Sequence, residues 1–305
     1  MDLARIRMRR KLGNLELRSR VLQAIRAFVA DRDFVEMETP VRVRAPALEQ
    51  HIDAEPSGDA YLRTSPELHM KRLVAAGAER IYQMGPCFRR GERGDLHHPE
   101  FTMLEWFRAH ADYTDILVDA KSLILHVARA VTGSDEITYQ GRRIDLVRWE
   151  RLLVDEAFLL NAGWSPVAGY DGDRFDLDLV EKVEPALPGD VPVVLSDYPA
   201  AAAALARRKP SDERVAERWE LYIGGLELAN AYSELTDAGE QAERFQACAA
   251  QREAAGREVY PVDEAFLEAL AAGLPPCGGI ALGVDRLVML LADAATLDEV
   301  VAFRE

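Results

Sequence analysis

The chain is poor in cysteine: three in 305 residues (Cys87, Cys248 and Cys277), with no CxxC spacing. An odd, scattered set builds neither a disulfide framework nor a thiolate zinc site, and it fits a reducing, cytoplasmic setting. Long apolar runs are missing. Stretches such as Leu287–Ala292 fall far short of the roughly 20 residues that span a bilayer, so no membrane association is expected. The N-terminus, MDLARIRMRRKLGNL, has bases but no apolar core of a secretory signal. Positive charge is also short. Thirty-seven bases against 52 acids leave −15, which argues against broad, sequence-independent nucleic-acid binding. The Walker P-loop, GxGxxG, HExxH and GxSxG patterns are all absent, removing the common nucleotide-fold and hydrolase readings.

What is present describes an ordinary globular chain, 49% hydrophobic and 29% charged, long enough for a substantial core. We read residues 1–305 as one domain with a basic segment over 1–14 and a variable region over 135–215. Residues 1–20 hold seven bases (Arg5, Arg7, Arg9, Arg10, Lys11, Arg18, Arg20) against Asp2 and Glu16. They form either a solvated helix end or a dock for an acidic partner.

Apolar residues at Leu17, Val21, Leu22, Ile25, Phe28 and Val29 predict a helix over 15–32. A strand from Phe34 stops at Pro40. Ser65 reads as an N-cap with Pro66 behind it, opening a helix that ends near Gly77. Residues 81–89 and 100–108 predict one hairpin, and 217–223 and 226–234 another around Gly224–Gly225. A small-residue strand over 278–283 leads into a helix over 284–292. Neighbouring strands pairing as hairpins, with helices packed on them, make an antiparallel α+β fold. Residues 135–215, rich in Asp, Gly and Pro, give no clear pattern.

Strand parity then tests which polar residues converge. Phe101, Met103, Glu105 and Phe107 share one face; Asn230, Tyr232 and Glu234 share another. Acids beside aromatics suit a buried cationic ligand, since a carboxylate in a low-dielectric pocket needs a partner; the alternative is that these faces meet solvent. Glu220 and Glu227 bracket the glycine turn and are expected to face each other across the hairpin, either to hold Mg²⁺ with water and phosphate completing its shell or as a mildly repulsive surface pair of acids. Parity puts Glu227 opposite Asn230, so one cavity needs a bulge. Arg89 and Arg286 offer forks for phosphate or are ordinary surface groups, and neither decides anything alone. Gly279, Ala281 and Gly283 make a flat floor for a ligand or a packed backbone.

In this order, these pieces resemble the catalytic domain of class II aminoacyl-tRNA synthetases, and within them the lysyl-tRNA synthetase branch. Phe34–Val43 resembles motif 1, with Pro40 as its dimer-interface proline. Phe88–Arg89 followed by HHPEFTMLE (97–105) resembles motif 2, and Gly283–Arg286 motif 3. TSPELHMKRL (64–73) and IGGLELAN (223–230), continuing to SELTDA (233–238), resemble segments of the lysyl branch. Motif 1 begins by Phe34, leaving no room for the anticodon-binding OB domain of roughly a hundred residues that precedes it in lysyl-tRNA synthetases. The likeness is therefore strongest to the stand-alone paralogues of that branch, where Ala stands at position 281 in place of Gly.

The resemblance implies the following roles. Arg89 holds the α-phosphate and the substrate carboxylate. Phe101 stacks on adenine, with Arg286 on its other face or at the γ-phosphate. His97 lies near the ATP phosphates or base, and Glu220 and Glu227 hold Mg²⁺. Ser65, Glu67, Glu105, Asn230 and Glu234 bind a lysine or β-lysine over Ala281. Arg89 and Arg286 carry the catalysis. The implied reaction is ATP-dependent formation of an acyl-adenylate and transfer to the ε-amine of a lysine on elongation factor P, a translation factor shaped like tRNA. A homodimer is implied too. The alternatives are a stand-alone enzyme charging tRNA, which the acidic balance disfavours, and a non-catalytic lysine and ATP sensor. Three positions depart from the family pattern. Arg90–Gly91–Glu92 replaces an Asn-Glu start, so the adenine contact moves to Glu92 or is lost. Phe107 stands where Tyr is usual, and Ala231–Tyr232 where Gly-Phe is usual.

Overall fold

The computed structural model describes residues 3–304, with side chains from Met8 onward except Arg10. Helix α1 (Leu3–Ala30) leads to the short strands β1 (Val35–Glu36), β2 (Arg42–Val43), β3 (Pro56–Ser57) and β4 (Ala60–Leu62). Helix α2 (Glu67–Ala75) precedes the long strands β5 (Arg80–Phe88) and β6 (Glu100–Ala109), then helix α3 (Tyr113–Thr132). The segment without a sequence pattern holds β7 (Glu136–Tyr139), β8 (Arg142–Asp145), β9 (Glu150–Leu153), α4 (Val154–Asn161), α5 (Gly172–Asp178), β10 (Val193–Pro199) and β11 (Arg208–Lys209). Strands β12 (Asp212–Ile223) and β13 (Leu226–Ser233), helices α6 (Ala238–Ala254) and α7 (Glu264–Gly273), strand β14 (Cys277–Gly283) and helix α8 (Val284–Ala292) complete the chain.

The main sheet has nine strands in the order β1-β5-β6-β14-β13-β12-β10-β9, with β11 paired to β12. Its centre is antiparallel, as the hairpins require. Its margins are not: β1 runs parallel to β5, and β9 parallel to β10, because each pair is joined by a long crossover and not by a turn. The motif-1-like strand is shorter than expected, since only Val35 and Glu36 find ladder partners on β5. Ser65 Oγ accepts from the Glu67 amide at 2.9 Å, as a capping residue does, although the helix proper starts at Glu67 with Pro66 in the cap position. Helix α1 starts well before residue 15. Among its described bases, Lys11 pairs with Asp298 and Arg20 donates to the Val131 carbonyl, so these are spent on internal partners. The side chains of Arg5, Arg7 and Arg10 lie outside the described residues.

Period-two alternation divides the sheet into two faces. Leu104, Trp106, Trp219, Leu221, Ala229, Ala231, Ile280 and Leu282 point into a core shared with α1, α3 and α8. Burying side chains the size of Trp106 or Trp219 contributes about 1.5–3 kcal/mol each, so this face is committed to stability. The intervening residues point the other way, under α2, α6 and α7, and line a cleft. Gly224 and Gly225, with φ of +62° and +83°, form the turn between β12 and β13 that residues with a Cβ would strain.

Candidate active site

Three adjacent strands make the floor of this cleft, which encloses about 350 Å³. Strand β14 runs down the middle, with Ala281 flanked by Glu105 of β6 and Asn230 of β13. Two residues back, Gly279 is flanked by Phe107 and Tyr232. A Cβ at Gly279 would collide with the Phe107 ring and the Glu234 carboxylate, so the missing side chain is what lets both groups lie across the floor. Every ligand-binding candidate from the sequence lines this cavity: Ser65, Glu67, Arg89, Glu92, His97, Phe101, Glu105, Glu220, Glu227, Asn230, Glu234, Ala281 and Arg286; Ala231 instead points into the core.

One end of the cleft is acidic. Ser65 donates from Oγ to Glu105 Oε1 at 2.7 Å. Burial first, then the nearby Glu67 charge, pushes the Glu105 carboxyl up to about 8, so it holds a proton at neutral pH. Glu67 and Glu234 both pair with Lys71, whose Nζ lies 2.5 Å from Glu67 Oε1 and against Glu234 Oε2. Burial alone would depress the Lys71 ammonium, but its two acid neighbours outweigh that and raise it. The Glu67–Lys71 spacing of one helical turn was the sequence signal for this missed residue. Asn230 donates from Nδ2 to the Tyr232 hydroxyl at 2.9 Å, while its buried Oδ1 has no partner. An unpaired buried acceptor beside carboxylates asks for a donor from a ligand. The cavity also shows where a hydroxyl lies: the ring at position 107 has none, and the ring across Gly279, Tyr232, has one.

The other end is mixed but rich in arginine. The Arg89 guanidinium lies 5.2 Å from the Phe101 ring centroid and 3.8 Å from Glu92 Oε1. Arg286 donates to the Glu227 carbonyl at 2.7 Å and approaches Glu227 Oε2 at 3.4 Å. Its Nη2 also lies 2.8 Å from His97 Nε2. Burial and then the Arg286 charge lower the His97 imidazole, leaving Nε2 as an acceptor. Behind this, Asp285 accepts from the Thr102 amide at 2.9 Å and pairs with Arg18 at 2.5 Å.

The two carboxylates near the glycine turn do not face each other. Glu220 stands opposite Asn230 and Glu227 opposite Tyr222, with the ladder slipping at Leu228. This is the bulge that parity demanded, and it turns Glu227 onto the same face as Glu220. Glu220 accepts from Tyr198 at 2.6 Å, Tyr222 at 2.8 Å and Arg218 at 2.5 Å. Burial and the Glu220 charge hold both phenols far up, so they remain donors. Glu227 keeps 43% of its side-chain surface open to the cleft, yet protein walls ring it. That enclosure first, and Glu220 second, raise its carboxyl. No three or more His, Cys, Asp and Glu side chains among the described residues group to hold a metal by themselves. Two hard oxygen donors that repel each other do fit an Mg²⁺ whose remaining ligands are phosphate and water.

Sequence reasoning also missed Arg218, Tyr198, Tyr222, Glu184 and Glu49. Glu184, from the unpatterned segment, accepts from Tyr222 at 3.2 Å, and burial pushes it up to about 7. Chemically, the cleft offers acceptors for ammonium at one end and guanidinium forks for anions at the other, with a small-residue floor between.

The family described as tRNA synthetases class II (D, K and N) matches residues 1–305. The chain is 40% identical to the elongation factor P–(R)-beta-lysine ligase of Hamiltonella defensa, over 96% of this chain and 95% of that protein. It is equally similar, at 40% and the same coverage, to the protein of that name from Erwinia tasmaniensis. It is 38% identical to the lysine–tRNA ligase of Moorella thermoacetica, over 94% of this chain and 64% of that protein.

Proposed function

Because this chain belongs to the class II tRNA synthetase family, D, K and N type, we propose that its cleft activates a lysine-type amino acid with ATP and passes it to elongation factor P. The observation that carries this reading is the polarity of this cavity. Its acid end, Glu67, Glu105, Asn230 and Glu234, suits an amino acid with two ammonium groups. Its other end, Arg89 and Arg286, suits a carboxylate and phosphates.

In this reading the amino-acid backbone lies over Ala281. Its ammonium groups meet the Asn230 Oδ1 acceptor and the carboxylates, and Ser65 orients Glu105. Arg89 holds the substrate carboxylate against the α-phosphate, adenine lies on Phe101, and Glu92 stands beside Arg89 at the adenine side. His97, neutral, accepts from Arg286 and fixes that guanidinium for the distal phosphates. Glu220 and Glu227 would hold Mg²⁺, which neutralises phosphate charge when bound. The carboxylate oxygen attacks the α-phosphorus in line, the bond to the β-phosphate bridging oxygen breaks, and pyrophosphate leaves. Preset guanidinium groups aimed at charge that grows in the transition state account for most of the rate; removing one such group costs about 10²–10³-fold.

Two properties follow the same reading. The extra methyl of Ala281, against glycine, changes floor depth where the backbone amine sits and favours a β-amino acid, a discrimination of about 1–3 kcal/mol. A second copy pairs along the β1 edge, where Val35 is 55% exposed and Pro40 is also exposed. The deciding experiment incubates the protein with ATP, labelled (R)-β-lysine and either elongation factor P or tRNA. Label on the factor supports the proposal. Label on tRNA alone selects the lysine–tRNA ligase reading, which the similarity to the Moorella protein supports only distantly.

A further inference from the structure

Of the acids that line the cleft, all but one are committed among the described residues. Glu67 and Glu234 pair with Lys71, Glu105 with Ser65, Glu92 with Arg89, and Glu227 with Arg286. Glu220 accepts three bonds and Asp285 holds Arg18. Among the described residues Glu49 has no side-chain hydrogen bond or ion pair, yet it lines the cavity.

Its position is held with care. Arg252, fully buried on α6, donates to the carbonyls of Glu49 at 2.7 Å and Ile52 at 2.9 Å, and to Asp53 Oδ1 at 2.7 Å. The Arg90 amide donates to the Asp53 carbonyl at 2.7 Å, tying this loop to the segment that carries Arg89. The charged groups that face Glu49 are Arg89 at the end of β5, Glu67 on α2, Arg218 on β12 and Glu92 in the loop after β5. Arg89 marks the carboxylate end of the bound amino acid and Glu67 its amine. The Arg90–Asp53 tie sets the Glu49 loop against the segment that carries Arg89, so the one cleft acid without a side-chain partner among the described residues shares its cavity with the carbon to be attacked.

That carbon must be met by a neutral amine, whereas a lysine side chain arrives as an ammonium at neutral pH. We propose that Glu49 is the general base of the transfer step, taking the proton from the acceptor ε-ammonium as it enters. The Glu49 carboxylate becomes a carboxylic acid and the amine gains its lone pair. The lone pair forms the C–N bond while the C–O bond to the α-phosphate breaks, and AMP leaves with that electron pair. The amide nitrogen loses its surplus proton to water, and Glu49 returns its own the same way. Burial raises the Glu49 carboxyl, with Arg89 pulling against it and Glu67 adding to it, which brings its basicity closer to the working pH.

This inference rests on the ligase reading, so the test separates the two half-reactions. Glu49→Gln is compared with the wild type in pyrophosphate exchange, in single-turnover transfer, and in trapping of the adenylate by hydroxylamine, which is neutral at pH 7. The expected result is exchange changed by less than about threefold and transfer at pH 7 lowered by about 100-fold. Trapping stays unchanged, and the variant's transfer rate recovers towards high pH as the acceptor deprotonates itself. A tenfold rise in the exchange KM for the amino acid would make Glu49 an ammonium holder and overturn the proposal, as would unaltered transfer. Running transfer to N-acetyl-lysine amide beside elongation factor P keeps the two claims apart. A wild type that modifies only the small amine sinks the protein acceptor while still testing Glu49, and one that modifies neither sinks both.

Discussion

Lys71 and Glu234 form an ion pair in which each side chain is only 1% exposed. Charges so placed are held by each other and by Glu67, with no water to replace a lost partner. Lys71→Met is expected to destabilise the fold by about 3–5 kcal/mol, read from the urea midpoint. Adding Glu234→Gln should recover a large part of that loss. A single variant as stable as the wild type would mean that the pair is reached by solvent.

Glu105 should behave as a proton store. Its carboxyl is raised from 4.5 to about 8 by burial, so between those values the folded protein holds a proton the unfolded chain has lost. Its contribution to stability is therefore greatest below about pH 4.5, falls as pH rises through that window, and levels off above about pH 8. Glu105→Gln removes this slope, and the stability difference from the wild type, measured against pH, displays it. Binding of a diammonium ligand should expel the proton, visible by calorimetry in buffers of different ionisation enthalpy.

The bulge at Leu228 is expected to be as necessary as the carboxylate it turns. Glu227→Gln and Arg89→Ala should each lower pyrophosphate exchange by about 10²–10³-fold with melting temperature little changed. Inserting one alanine between Leu221 and Tyr222 should give Leu228 a ladder partner, restore plain alternation, turn Glu227 to the face away from Asn230 and lose exchange as fully as Glu227→Gln does. An insertion variant that folds and keeps full exchange would remove Glu227 from the site.

Ala281 lies between Glu105 and Asn230 on the floor. Ala281→Gly should raise use of α-lysine relative to β-lysine by roughly 10–200-fold, the range one methyl can command. Competition of the two amino acids in pyrophosphate exchange measures it, and an unmoved ratio would discard the floor argument.

How much of this was legible follows from where each residue gets its neighbours. Strand parity suffices for Glu105, Asn230 and Glu234, because period two is local and needs no tertiary knowledge. The same arithmetic demanded a bulge for Glu227, and the ladder slips at Leu228. Helix α8 over 284–292 was equally clear, since its apolar run has one reading. Glu184 and Glu49 were invisible for the opposite reason. Glu184 comes from a segment with no periodicity, and Glu49 from a loop whose position depends on Arg252, some two hundred residues later in the chain. The two parallel margins of the sheet were likewise hidden, as crossovers leave no turn signature.

Asp285 receives Arg18 on one side and the Thr102 amide, next to Phe101, on the other. The opening helix is thereby a structural brace for the surface on which an aromatic base would rest. Shortening the protein at that end would not be a cosmetic edit: it would leave a carboxylate without its cation one residue from that ring, and nucleotide affinity would register the cut before any loss of folding did.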